Sequence, residues 1–125
     1  ILQFHGDEGD AFCQQFNHPF WKTIRVKNSQ SLKSINDFSS ADAILLETFS
    51  DSSYGGTGKV FDWSLLNNIS LEQGYVLAGG INSENIKKAV SMNPWCIDVN
   101  SGVESSLALK NKNLIAEIIK KFKNG

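Results

Sequence analysis

Tyr75-Val76-Leu77-Ala78-Gly79-Gly80-Ile81-Asn82-Ser83-Glu84-Asn85-Ile86 is the stretch that decides how this chain folds. Tyr75–Ala78 is a short apolar run of strand type, and two glycines then turn the chain. Asn82 is a good N-cap for a helix over Ser83–Ser91, in which Ile86, Ala89 and Val90 share one face. The same strand–turn–helix alternation extends in both directions. Upstream strand candidates are Ile1–Phe4, Thr23–Val26 and Ala43–Glu47, and downstream lies Cys96–Val99. Helical patterns fall between them, at an acidic-capped stretch over Ala11–Phe16, at Ser31–Phe38 and at Ser64–Asn67. The chain closes on Leu114–Lys123, where Leu114, Ile115, Ile118, Ile119 and Phe122 form a stripe and Lys120, Lys121 and Lys123 suit the C-terminal end of a helix.

Strands separated by single crossover helices imply βαβ units and a parallel sheet, and continuous apolar runs fit strands covered on both faces. Eight such units would come to about 200 residues, the lower end of a TIM barrel. An open doubly wound sheet is the alternative. It would want a glycine-rich phosphate turn after the first strand, whereas here the glycines follow the later strands. Periodicity alone leaves both open. One connection, Thr48 to Phe61, is long and rich in Gly, Ser and Thr, as functional loops often are. Within it Tyr54-Gly55-Gly56-Thr57-Gly58-Lys59-Val60 superficially resembles a P-loop, but Ser53 and Val60 stand where that motif needs Gly and Ser or Thr. A lid fits better, with Phe61 and Trp63 as anchors and Asp62 as N-cap, while Lys59 either reaches an anionic substrate or is merely solvated, the second slightly favoured.

The 125 residues carry 12 Lys+Arg against 13 Asp+Glu, a net charge of −1. That balance argues against a nucleic-acid binder, which needs a basic face. The longest aliphatic run is Ala43-Ile44-Leu45-Leu46, too short to span a membrane. Cys13 and Cys96 lie far apart without CxxC spacing and read as reduced thiols, so the expectation is a soluble cytoplasmic domain with no metal site. The chain opens on Ile1-Leu2-Gln3-Phe4 without a Met, which points to the C-terminal part of a longer protein.

In parallel α/β folds chemistry gathers at the C-terminal ends of the strands. His5-Gly6-Asp7-Glu8, Glu47, Gly79-Gly80-Ile81-Asn82 and Asp98-Val99-Asn100-Ser101-Gly102-Val103-Glu104 all stand there. Gly79-Gly80 and Ser101-Gly102 could be tight turns alone. Two such turns after successive strands favour a phosphate cradle built of backbone amides. Glu47, ending an apolar strand, is the candidate general acid, against a plainer role as a salt-bridged rim residue. Asp98 could orient substrate hydroxyls or an amine, and His5 is either a substrate contact or a packing residue. His18, Trp21 and Trp95 read as loop or packing residues.

Leu2-Gln3-Phe4-His5-Gly6-Asp7-Glu8, Gly55-Gly56-Thr57-Gly58-Lys59-Val60-Phe61-Asp62-Trp63, Leu77-Ala78-Gly79-Gly80-Ile81-Asn82 and Asp98 to Glu104 together resemble the phosphoribosylanthranilate isomerase family of tryptophan biosynthesis. The resemblance runs in order across essentially the whole chain. It implies a partial (βα)8 TIM barrel in which residues 1–125 are the C-terminal portion of a single domain, strands four to eight with their helices, the N-terminal strands missing. It also implies the reaction, an Amadori rearrangement of N-(5'-phosphoribosyl)anthranilate without metal or organic cofactor. Glu47 would be the acid, Gly79, Gly80, Ser101 and Gly102 would hold the phosphate, and Asp98 would contact substrate near the anthranilate.

The family's usual acid is Asp, so Glu47 must be re-aimed by one methylene; Asp51 is a weaker candidate. The usual double Ser reads Asn100-Ser101, while Lys110 and a capping Asn111 are kept. The family's base is a Cys on strand one, and neither Cys13 nor Cys96 stands at a strand's C-terminal end. The anthranilate-binding Arg also belongs to the N-terminal part, and Arg25 lies inside a strand. The partner expected is a small phosphorylated substrate, with no nucleic acid and no membrane. Two open sheet edges point to association with the missing N-terminal half or another copy. A chain of 125 residues alone would then be inactive. The competing function is a silent phosphate-binding fragment that associates in this way. A phosphosugar barrel such as indole-glycerol-phosphate synthase is disfavoured, because no lysine stands at a strand end.

Overall fold

A computed structural model describes residues 1–50 and 59–124. Five strands form one parallel sheet in the order β1-β2-β3-β4-β5: β1 Leu2–Phe4, β2 Phe20–Val26, β3 Ala43–Thr48, β4 Tyr75–Leu77 and β5 Cys96–Ile97. Each strand pairs with its sequence neighbours in parallel register. A doubly wound sheet reverses its strand order at a switch point, and this sheet does not. The barrel-like alternative therefore holds.

Side chains alternate across the sheet. Phe20, Ile24 and Val26 of β2 and Ile44 and Leu46 of β3 pack under the helical layer, together with Phe38, Trp63, Leu77, Ile86 and Ile118. Burial of each large aliphatic here contributes about 1.5–3 kcal/mol. The opposite face carries a smaller cluster, Ala43, Leu45, Val76 and Ala78, against Trp21 and Cys96. Trp21, at the start of β2, meets Trp95, just before β5, edge to face at 5.7 Å between ring centroids. Three strand spacings on a flat sheet would separate such side chains by about 14 Å. That face is concave.

The helical layer departs from expectation in detail. The first helix, α1 (Asp10–Gln14), has Gly9 at its N-cap and no side-chain cap; Asp10 instead accepts from Gln14 and Ser40. Ser31–Phe38 and Trp63–Asn68 are 3₁₀ helices, the second capped by Asp62, which accepts from the Ser64 amide at 3.0 Å. Phe61 and Trp63 are buried anchors, as expected. The next helix, α2 (Ile86–Ser91), starts later than Ser83. The turn before it is nonetheless organised by Asn82, whose Oδ1 accepts from the Glu84 and Asn85 amides. The last helix, α3 (Lys112–Lys123), is capped by Asn111. Ile118 is buried, but Ile119 and Phe122 are exposed, so the stripe is only partly covered. A hairpin that no sequence pattern announces, β6 (Glu104–Ser106) with β7 (Leu109–Lys110), precedes α3. Its turn uses Ala108 at φ +62°. Among the described residues no helix is long and apolar enough to cross a membrane.

Candidate active site at the strand C-termini

Register puts Gln3 of β1, Trp21, Thr23 and Arg25 of β2, and Ala43, Leu45 and Glu47 of β3 on the concave face. His5, one residue past β1, continues that parity. Its Nε2 lies 2.8 Å from Glu47 Oε1, so the imidazole reaches across β2 to a carboxylate on β3. On its other side Nδ1 is 3.3 Å from both Gln3 Nε2 and Thr23 Oγ1. An amide NH₂ can only donate, so Nδ1 is the acceptor and Nε2 carries the proton. In that tautomer the His5 Nε2–H donates to Glu47. The Glu47 side chain is 20% exposed, half-sheltered at the mouth with its second oxygen outside the His5 contact.

Two further charged residues flank this pair. Arg25 is in direct register with Glu47 and donates to Asp7 Oδ1 at 3.2 Å. Sequence reading leaves Arg25 inside a strand without a role; the register, which sets it beside Glu47 near the end of β2, places it at the mouth. Lys22, on the helix-facing side, is buried to 3% exposure and paired with Glu8 at 2.9 Å. A cavity of about 460 Å³ lies beside them, lined by Asp7, Glu8, Lys22, Arg25, Ser34 and Phe38 among others.

The two glycine turns adjoin this pair and each other. Gly79 has φ +81°, and a Cβ there would stand 2.7 Å from the Thr48 amide and 3.4 Å from Glu47 Cα. A Cβ at Gly80 would fall 2.4 Å from the Lys59 carbonyl oxygen, and one at Gly102 only 1.9 Å from that of Ile81. The backbones at the ends of β3, β4 and β5 are therefore in contact, a closeness that only glycine permits. The segment entering from Lys59 is pinned to the same place, since the Phe61 amide donates to Thr48 Oγ1 at 3.0 Å.

Ser101 and Gly102 open a 3₁₀ turn, Ser101–Val103. Lys110 braces it from the hairpin: its Nζ donates to the Asn100 carbonyl at 2.9 Å, to Asn100 Oδ1, and to Glu104 at 2.6 Å. That contact holds the Glu104 carboxyl below the usual carboxylate range. Asp98 is exposed beyond β5, its amide bonded to the Leu77 carbonyl at 2.9 Å, and it does not join the described His5–Glu47 contact. Cys13 is buried in α1, where desolvation raises its thiol pKa, so it is a poor base; Cys96 opens β5 at the opposite end of the strand. Among the described residues no group of three or more His, Cys, Asp or Glu could hold a metal ion. Asp51 and the Tyr54–Gly58 part of the glycine loop lie outside the described residues.

Comparison with known proteins decides the family. The model of N-(5'phosphoribosyl)anthranilate (PRA) isomerase matches residues 1–121. The chain belongs to the PRA isomerase family. It is 44% identical over 122 residues to the N-(5'-phosphoribosyl)anthranilate isomerase of Legionella pneumophila, covering 96% of this chain and 58% of that protein. The chain thus spans less than two thirds of its curated PRA isomerase relatives. Among solved structures, the phosphoribosyl anthranilate isomerase of Thermotoga maritima superposes with TM-score 0.83 at 32% identity, over 98% of this chain and 61% of that one. A PRA isomerase in complex with reduced 1-(o-carboxyphenylamino)-1-deoxyribulose 5-phosphate gives TM-score 0.77 at 28% identity, over 98% and 59%.

Proposed function

We propose that this chain is the C-terminal, five-stranded portion of a (βα)8 barrel that isomerises N-(5'-phosphoribosyl)anthranilate in tryptophan biosynthesis. The observation that carries the reading is the His5–Glu47 contact at 2.8 Å beside the abutting turns of Gly79-Gly80 and Ser101-Gly102. A proton donor for a sugar ring and a backbone cradle for its phosphate then stand at one end of the sheet, as the reaction requires. Further support comes from the relative solved with a carboxyphenylamino-deoxyribulose phosphate.

In this reading Glu47 protonates the ribose ring oxygen. The C1'–O4' bond breaks with its electrons going to oxygen, and the nitrogen lone pair forms the C1'=N bond. A base then removes the C2' proton, the electrons shift to nitrogen, and the resulting enolamine tautomerises to the aminoketone. As Glu47 gives up its proton, the His5 N–H bond to the growing carboxylate strengthens, which is stabilisation delivered in the transition state. The base comes from outside residues 1–125, in keeping with Cys13 buried and Cys96 at the far strand end. Asp98 contacts the anthranilate side of the substrate, and Lys110 holds the Ser101-Gly102 turn in shape for the phosphate.

The test is the disappearance of phosphoribosylanthranilate fluorescence with the full-length protein. Turnover is expected, with inorganic phosphate as a competitive inhibitor. No turnover, or phosphate without effect on KM, removes the reading.

A further inference from the structure

We propose that Lys22 and Glu8 form a half-buried latch that positions His5 against Glu47. The proposal rests on the isomerase reading for its consequence in rate, but the latch is read from contacts of its own. Lys22 Nζ donates to the Gly6 carbonyl at 2.6 Å and to Glu8 Oε2 at 2.9 Å. That same carboxylate oxygen accepts from the Gly6 amide at 2.9 Å. Both polar groups of Gly6, the residue that follows His5, are therefore captured by one ion pair. Thr23, the next residue along β2, touches His5 from the opposite face of the strand. Consecutive residues of β2 thus grip His5 from both sides, Lys22 through the backbone and Thr23 through the ring.

A buried ammonium beside a cavity invites a different reading, as an anion site or an amine nucleophile. The coordination of Lys22 argues against both. It donates to Gly6 O and Glu8 Oε2, and its Nζ lies 5.3 Å from the centre of the Phe38 ring. It also stands on the helix-facing side of β2, turned from the concave face that carries Glu47. Both hydrogen bonds of the ammonium go to groups of this chain, although Lys22 also lines the neighbouring cavity. A buried charge kept in this way costs desolvation, and fixing a geometry is the use it is put to here. Lys22 also holds the Glu8 carboxyl below the usual carboxylate range, which keeps that carboxylate charged at neutral pH.

Three variants of the full-length protein test this: Glu8→Gln, Glu8→Asp and Lys22→Met. Two quantities are read, the kcat and KM for phosphoribosylanthranilate and the ¹⁵N signals of the His5 ring, assigned by their loss in His5→Asn. Glu8→Gln is expected to lower kcat about ten-fold with KM changed less than two-fold, and to mix the His5 tautomers that the parent holds as Nε2–H. Glu8→Asp, which keeps the charge, should restore most of both. Lys22→Met should reproduce Glu8→Gln; should it fail to fold, Glu8→Gln decides alone. Unchanged kcat and unchanged ¹⁵N signals in Glu8→Gln overturn the latch, as does a loss of rate that merely follows the folded fraction. If the parent protein does not isomerise the substrate, the isomerase reading fails, and the ¹⁵N signals still decide the latch.

Discussion

His5 Nε2 and Glu47 Oε1 meet at 2.8 Å although their strands, β1 and β3, are not neighbours in the sheet. Concavity brings them together over Thr23, and the contact engages only one of the two carboxyl oxygens of Glu47. In a flat sheet of the same sequence the two side chains would stand about two strand spacings apart, roughly 10 Å.

Glu47→Gln in the full-length protein should cut kcat by about 10²–10⁴, the usual contribution of a general acid, with little change in KM. Glu47→Asp should retain measurable activity, lowered because the shorter side chain no longer reaches both His5 and substrate. Steady-state fluorescence assays read both. Normal turnover in Glu47→Gln would take the acid role from this residue.

Gly102→Ala forces a methyl group against the Ile81 carbonyl, which lies 1.9 Å from the ideal Cβ position. The turns after β4 and β5 must move apart. Urea unfolding should report a loss of about 1–3 kcal/mol, and KM should rise more than kcat falls. An unaltered KM would separate this turn from phosphate binding.

Acid should destabilise the fold, with a sign set by four carboxylates. Glu8, Glu104 and Glu117 are lowered chiefly by lysine hydrogen bonds and Asp62 by Ser64. A carboxyl depressed in the folded state binds a proton more readily when unfolded, so its stabilisation is complete above the unfolded value, about pH 4.3 for Glu. It is lost as pH falls through the folded value. Urea midpoints should hold from pH 8 to about 5 and fall below that. Glu8→Gln should make the fall shallower, and an equal slope in parent and variant would contradict the assignment.

Leu46→Ala removes a side chain with no exposure, packed beneath the helical layer. A loss of about 2–5 kcal/mol is expected, measured by chemical denaturation without a change in m-value. A smaller loss would mean that the layer over β3 closes on the space.

Much of the fold was legible because parallel strands under helices are apolar on both faces, and Ala43–Glu47 and Tyr75–Ala78 announce themselves by that run. Phe20-Trp21-Lys22 did not. A lysine interrupts the apolar pattern, and only its partners Glu8 and Gly6 explain how it is buried in a strand. The β6–β7 hairpin was hidden for a similar reason, since its turn places Ala108 at positive φ without the Gly or Asn that usually marks one. Whether Ser31–Phe38 is α or 3₁₀ rests on packing that periodicity does not encode. At the candidate site, Glu47, His5 and the glycines stand out as strand-end residues of chemical type. The His5–Glu47 bond, the place of Arg25 and the bracing by Lys110 depend on strand parity and curvature, which exist only once the sheet is assembled.

The uninterrupted strand order has a kinetic consequence. In the five-stranded sheet every ladder joins units adjacent in the chain, so no loop to be closed spans more than one βα unit. The pairings are still non-local, as between Leu2 and Phe20 or Ile44 and Tyr75, and parallel pairing of that kind is slow, so assembly is expected to proceed by accretion, one βα unit templating the next. The β2–β3 ladder, with six residue pairs, is the natural seed, and pulse-labelled amide exchange should find its hydrogens protected first.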